Sequence, residues 1–302
     1  MSNSTSTTSS STDDVKLYFY SPSTPAAIIF SVLYAILTLW HFYINFISSW
    51  HCAIKHKYTI PLFVAGLIST CGWIVRIASI HHDSSIPLYA VSASYIVISP
   101  IFVCATLYLL LMRLIRTTLP DDRFFFRISP DWLGRVFITS DILSFLTQCS
   151  GSGIASSGNW EGDLKDIGTN VLLVGLVLQL ATFTIFMVVL ARFVKRVHEN
   201  QETGFNPCVK KVILGVWIAS FFVQVRSIYR VVEFALGIKG YPFNHEWCLY
   251  VLEGTPMFCA LVVLAWYHPV RWMQQKPRTD FGMAGLGPDG KRPNAVLNRA
   301  YG

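Results

Sequence analysis

Apolar residues in this chain are gathered into seven long runs, at about residues 25–49, 59–80, 88–112, 135–152, 168–191, 212–236 and 247–267, separated by polar or basic segments. Crossing about 30 Å of hydrocarbon at 1.5 Å rise per residue takes about 20 residues of helix. Each run is near that length. In lipid only helices and closed barrels satisfy their own backbone polar groups, and runs this long without strict alternation predict helices. The pattern predicts an all-α, polytopic membrane protein with seven transmembrane helices. The fourth run is the most polar, with Ser140, Asp141, Ser144, Thr147 and Gln148 inside it.

Composition agrees with this pattern. Of the 302 residues 53% are hydrophobic and 14% charged, where a soluble domain carries about 25% charge. The runs occupy more than half the chain, which leaves no sizeable soluble domain. Three parts follow: a Ser/Thr-rich extracellular N-terminus over 1–24, a seven-helix transmembrane domain over 25–272, and a flexible basic cytosolic tail over 273–302. The first fifteen residues contain no basic residue, so they do not read as a cleaved signal peptide, and the first span is the expected targeting signal.

Charge sets the expected orientation, because basic loops stay on the cytosolic side. Eighteen Lys and Arg residues fall on one side of the seven runs, among them Lys55, Arg116, Arg192, Lys211 and Arg278. The other side has three: Lys16, Lys165 and Lys239. This division puts the N-terminus outside and the C-terminus in the cytosol. Asn3-Ser4-Thr5 is then a glycosylation acceptor on the correct side. The net charge of +7 is spread over segments beside membrane helices, where anionic lipid is the natural partner, and no nucleic-acid binding is expected.

The candidate chemistry lies in the ionisable groups at membrane depth, each of which costs at least about 2.5–3.5 kcal/mol near a helix centre. They are Arg76, Asp141, Arg226, Arg230, Glu233 and Glu253, three basic and three acidic, with Gln148, Gln179 and Gln224 adding uncharged polar groups. Arg226, Arg230 and Glu233 recur at i, i+4 and i+7, on one helical face. Counting depth along alternating helices places Arg76, Gln148, Arg230, Glu233 and Glu253 in the outer half and Asp141 alone toward the cytosol. Two readings stay open: a polar cavity opening outward that binds a ligand, or ion pairs that lock helices together. Pro100 and Pro256 predict kinks in the third and seventh spans. Cys149 and Cys248 both fall near the outer surface, either as a disulfide or as two free thiols.

Other chemistries are not expected. The segment from Gly285 to Lys291 resembles a phosphate-binding loop but lacks a flanking strand, a helix and the Ser/Thr that would replace Arg292. Zinc hydrolysis needs several ligands at one depth, whereas the histidines lie mainly at loops and span ends, and the last run has no lysine for a retinal Schiff base. No catalytic residue, metal or cofactor is expected.

Several motifs carry a family resemblance. Arg226-Ser227-Ile228-Tyr229-Arg230 followed by Glu233 and Gly237 is the most specific; Phe137, Asp141, Ser144, Gln148 and Gly151 form a second. Gly72 with Arg76, Gly175 with Gln179, Glu246 with Tyr250, and His268-Pro269 add support. On these motifs the chain resembles the fungal lipid-translocating exporters, the RTA-like seven-span family that includes sphingoid long-chain-base and aminocholesterol resistance proteins. It departs from the family pattern at Ser69, where a glutamate is usual, at Ser99, where alanine is favoured, and near Glu253-Gly254, where an aspartate is usual. The resemblance implies export of, or resistance to, amphipathic lipids at a fungal plasma membrane. Acidic Glu233, Glu253 and Asp141 would hold a cationic head group, and Arg76, Arg226 and Arg230 an anionic one, with membrane lipids and amphiphiles as the partners. A seven-span receptor for the same amphiphiles, signalling through its basic loops, is the alternative. For topology, a reporter fused after Gly302 is expected in the cytosol and a tag before Asn3 on the outside of intact cells; both ends on one side would contradict the span count.

Overall fold

The computed structural model describes residues 23–48, 60–81, 86–118, 130–157, 162–199, 207–237 and 240–268. The sequon at Asn3, most of the N-terminal segment, the tail beyond 268 and several of the basic loop residues lie outside the described residues. Seven long helical elements account for the rest: α1 (Thr24–Phe42), α2 (Ile60–His81), α3 (Ile86–Thr118), α4 (Pro130–Ser157), α5 (Gly162–Glu199), α6 (Pro207–Leu236) and α7 (Glu246–Trp266). No strand occurs among the described residues. Six of these helices are long and apolar enough to cross a membrane, and α4 is the exception. The chain is thus an all-helical, multi-pass membrane protein. Helices α3, α4 and α5 overrun their apolar runs at both ends, because basic and polar residues continue the helix once the hydrocarbon is crossed.

Sequence neighbours pack side by side, and α7 closes the bundle against both α6 and α1. Helices α1 and α7 run parallel: the Ser23 N–H donates to Glu246 Oε2 at 2.7 Å, the Tyr34 hydroxyl donates to the Gly254 carbonyl at 2.9 Å, and His41 Nε2 lies 3.2 Å from the Leu261 carbonyl. Helix α3 is central, touching α2, α4, α5 and α6, and its Leu107, Tyr108, Leu111 and Leu114 are fully buried. The bundle exterior is apolar as well, with Ile29, Ile36, Ile74, Val174, Ile185 and Phe221 all exposed. Charged groups kept inside and apolar ones facing outward is the distribution that hydrocarbon solvent selects.

Both expected prolines fall within helices and are buried. Proline has no N–H, so each frees the carbonyl four residues earlier. Before Pro256, α7 widens into a π-helical segment, Leu249–Gly254, in which the Thr255 N–H bonds to the Tyr250 carbonyl. Helix α6 ends at Leu236, where Gly237 takes φ 68° and stops the helix in the left-handed conformation that glycine alone adopts without strain.

Glycines bring the backbones of α4 and α5 close together. A Cβ added to Gly151 would lie 2.6 Å from the Gly168 carbonyl oxygen, and one added to Gly168 would lie 2.5 Å from the Ala155 nitrogen. Small residues let helices meet in lipid, where no hydrophobic driving force brings them together. Gly151→Leu is therefore expected to part α4 from α5 and to lower thermal stability in detergent by several degrees or abolish the folded peak. Gly153→Leu should leave it near wild type, because nothing lies within 4 Å of a Cβ there.

Candidate functional site

The helical period puts Arg226, Tyr229, Arg230 and Glu233 along one stretch of α6, and the π segment of α7 presents Glu253 to them. The π turn adds one residue to the helix, which rotates everything before it by about 100° and so sets where Glu253, Tyr250 and Glu246 point. Arg226 donates to Glu253 Oε1 at 2.9 Å, with the two side chains 6% and 2% exposed. Arg230 donates to Glu233 Oε2 at 2.9 Å and reaches Glu253 Oε2 at 3.5 Å. The Tyr229 hydroxyl donates to Glu233 Oε1 at 3.1 Å. The Arg230 guanidinium also lies 4.7 Å from the Phe234 ring centroid, a cation–π contact.

Arg76, near the end of α2, meets Glu246 at 3.8 Å and lies 5.9 Å from the Tyr250 ring centroid. Glu246 in turn accepts the Tyr250 hydroxyl at 3.2 Å and the Ser23 N–H at 2.7 Å. Three guanidinium groups and three carboxylates thus face one another at a single end of the bundle. The Ile96 carbonyl, left without its helical donor by Pro100, accepts from Arg226 at 3.5 Å. An aromatic wall flanks this layer: Trp73 stacks on Tyr250 with centroids 5.3 Å apart, and Phe30 lies 5.0 Å from Trp73.

Two narrow crevices open beside the network. One, between α3, α4, α5 and α6, is lined by Gln148, Gln179, Arg226, Ser227 and Arg230 among others, and Gln148 donates to the Gln179 side-chain carbonyl across it at 3.0 Å. The other, between α1, α2, α3, α6 and α7, is lined by Tyr34, Ser69, Trp73, Ser99, Arg226 and Glu253 among others. Each has free space for about one water molecule. In this arrangement the site is closed, and anything larger than water enters only if helices part.

Of the residues singled out from the sequence, Arg226, Arg230, Glu233 and Glu253 touch directly, Arg76 joins the same layer through Glu246 and Tyr250, and Gln148 and Gln179 line the adjoining crevice. Gln224 lies elsewhere and donates to the Thr184 hydroxyl at 3.0 Å. Asp141 does not join the network. It is buried between α3 and α4 and accepts the Tyr108 hydroxyl at 2.9 Å. Glu246, which the depth argument passed over because it opens a span, supplies the third carboxylate. Ser69 and Ser99, the two serines that replace usual family residues, face each other at 2.5 Å, and Ser99 also donates to the Ala65 carbonyl. Cys149 is exposed and Cys248 buried, and both are free thiols, so the disulfide is absent.

A closed helical bundle with a self-neutralising charged layer inside and an apolar exterior defines a class: multi-pass membrane proteins with a polar interior site. Residues 62–276 match the family described as RTA1 like protein, and the chain belongs to that family. Three Saccharomyces cerevisiae relatives illustrate its range. Protein RTM1 is 30% identical over 212 residues, which are 68% of this chain and 65% of that protein. Protoporphyrin uptake protein 1 is 27% identical, over 82% of this chain and 90% of its own length. Sphingoid long-chain base transporter RSB1 is 23% identical, over 71% of this chain and 65% of its own. The chain therefore spans slightly less than two thirds of two of these relatives. No solved structure matches it.

Breaking one partner of a buried ion pair costs about 3–5 kcal/mol, because it strands the other charge. Arg226→Gln and Glu253→Gln should each lower thermal stability in detergent strongly. The double variant should lose less than the sum of the two, by about 0.5–3 kcal/mol. Additive losses in a double-mutant cycle would show that the pair is not coupled.

Proposed function

We propose that this chain is a carrier that moves amphipathic lipids across the membrane, with sphingoid bases and sterol-like or related toxic amphiphiles as the substrate class. The observation that carries this reading is the closed charged layer: six ionisable groups held at one end of the bundle, beside narrow crevices lined by polar and apolar side chains together. Here each side chain of the layer is matched twice or more, so one contact can be exchanged while another remains. A cationic amine would replace a guanidinium at Glu233 or Glu253, and an anionic group would replace a carboxylate at Arg76, Arg226 or Arg230. The crevice glutamines, Gln148 and Gln179, would hold hydroxyl groups, with the tail left among apolar side chains at the helix margins.

Seven passes, an outer N-terminus and a cytosolic tail belong to the same proposal. The parallel run of α1 and α7 supports an odd number of passes. Helix α4 falls short in average hydropathy because its polar residues are collected on one face: Asp141, Ser144 and Gln148 are buried, whereas Ile142, Leu143 and Leu146 are exposed. An average over the helix hides that division. With this orientation the charged layer lies toward the outer leaflet, at the plasma membrane by family likeness, and Asn3 is open to glycosylation. The names of two relatives, a sphingoid long-chain base transporter and a protoporphyrin uptake protein, agree with amphiphile movement.

The test is reconstitution of the purified protein into vesicles with a fluorescent sphingoid base in one leaflet. Protein-dependent movement to the other leaflet is expected, reduced at least tenfold in Glu233→Gln at equal amounts of folded protein. Saturable binding without movement would sink the carrier reading and leave a binding protein.

A further inference from the structure

Among the described residues, Asp141 is the one buried carboxylate outside the charged layer. It is 2% exposed, the Tyr108 hydroxyl donates to Oδ2 at 2.9 Å, and Oδ1 is buried with no hydrogen-bond partner. No ion pair holds it among the described residues. The groups that face it from α3 are Cys104 and Tyr108. On its own helix, Ser144 turns back to the Ser140 carbonyl, and the Ser140 hydroxyl is engaged with Thr182 of α5 at 2.8 Å. Tyr108 is itself enclosed by rings, with Phe137, Phe183 and Phe186 at centroid distances of 5.2, 6.3 and 4.8 Å. From α6, Arg226 acts on Cys104, but its guanidinium is bound to Glu253.

Arg76, Arg226 and Arg230 are balanced by Glu233, Glu246 and Glu253, so a charged Asp141 would be a seventh, uncompensated ion in an apolar aromatic setting. An isolated carboxylate in such surroundings is far costlier than a neutral acid with one unused hydrogen-bonding atom. A ligand that could neutralise it must also be small, because the aromatic rings pack tightly against Tyr108. A proton meets both conditions.

We propose that Asp141 is a proton-binding site: it holds a proton in the closed bundle and releases it to water when α4 separates from α3. The step breaks one O–H bond, leaves the electron pair on the carboxylate and passes the proton to water. Under the carrier reading, on which this consequence rests, the proton gradient then biases the opening that admits or releases an amphiphile. The proton site itself needs no lipid movement to be observed.

Infrared difference spectroscopy of the full-length protein in lipid, titrated from acid to alkaline buffer, tests the site. A carboxylic-acid carbonyl band is expected at neutral pH, lost on alkaline titration, absent in Asp141→Asn and displaced in Tyr108→Phe, where the hydrogen bond to Oδ2 is gone. Asp141→Asn, an uncharged isostere, should keep near wild-type thermal stability. If that variant fails to fold, the Tyr108→Phe displacement decides. Absence of any neutral-pH acid band that responds to these substitutions would overturn the proposal. Failure of lipid movement in vesicles, with the band intact, would instead overturn the carrier reading alone.

Discussion

A charge inside a hydrocarbon-bounded bundle must find its opposite there, and this constraint organises the structure. Guanidinium groups on α2 and α6 and carboxylates on α6 and α7 are largely shielded from bulk water, so each helix is placed where its charge meets a partner. Arg226 and Arg230 both reach Glu253, which fixes the rotation of α7 about its axis. Glu246 takes Arg76 on one side and the Ser23 N–H, just before α1, on the other, which draws the start of α1, the end of α2 and the start of α7 to one end of the bundle. Remove the charges and the apolar helices could slide past one another at little cost, because lipid tails solvate them equally well.

Backbone irregularities serve the same layer. Pro100 leaves the Ile96 carbonyl without a helical donor, and Arg226 approaches that oxygen, so a defect in α3 gives a guanidinium one more acceptor. Pro256 lies just past a π turn whose extra residue re-aims Glu253. Gly254, at the junction, is packed so closely that a Cβ would lie 2.8 Å from the Phe30 ring, and the Tyr34 hydroxyl takes its carbonyl. Such π segments are frequent at functional sites. The physical reason here is that a strict α-helix would point these carboxylates in other directions.

Much of this was legible in the sequence. Run lengths predicted the helices, and the i, i+4, i+7 spacing of Arg226, Arg230 and Glu233 predicted their common face, because the helical period is a local property. The common axial level of Arg76, Arg230, Glu233 and Glu253 is legible too, since it follows from counting residues along each span. Rotation about the helix axis relative to other helices is not, so spacing does not say which guanidinium meets which carboxylate. Glu246 lies just before its apolar run and so falls outside a search for charge at membrane depth, whereas depth counting sets Asp141 apart, as it is in the structure. An average hydropathy likewise hid the two faces of α4. The Ser69–Ser99 contact depends on the crossing of α2 and α3, which no spacing rule reports. The family motif flagged both Glu246 and Tyr250 as a pair four residues apart, and the structure supplies the reason: the tyrosine hydroxyl donates to that carboxylate.

A balanced layer has a consequence for any ligand. If one sign were in excess, the site would bind the opposite ion tightly and release it slowly. With three of each, a charged ligand would gain a partner only by displacing one, so its free energy of binding would be the small difference between two ion pairs. Entry and exit then have similar barriers, which suits movement across a membrane better than storage. A neutral layer also carries no net charge through the membrane potential when it rearranges, whereas moving a charge costs about 2.3 kcal/mol per 100 mV. Asp141, outside the balance, is the place where a single proton would change the net charge of the interior and so let the potential or a pH difference favour one arrangement over the other.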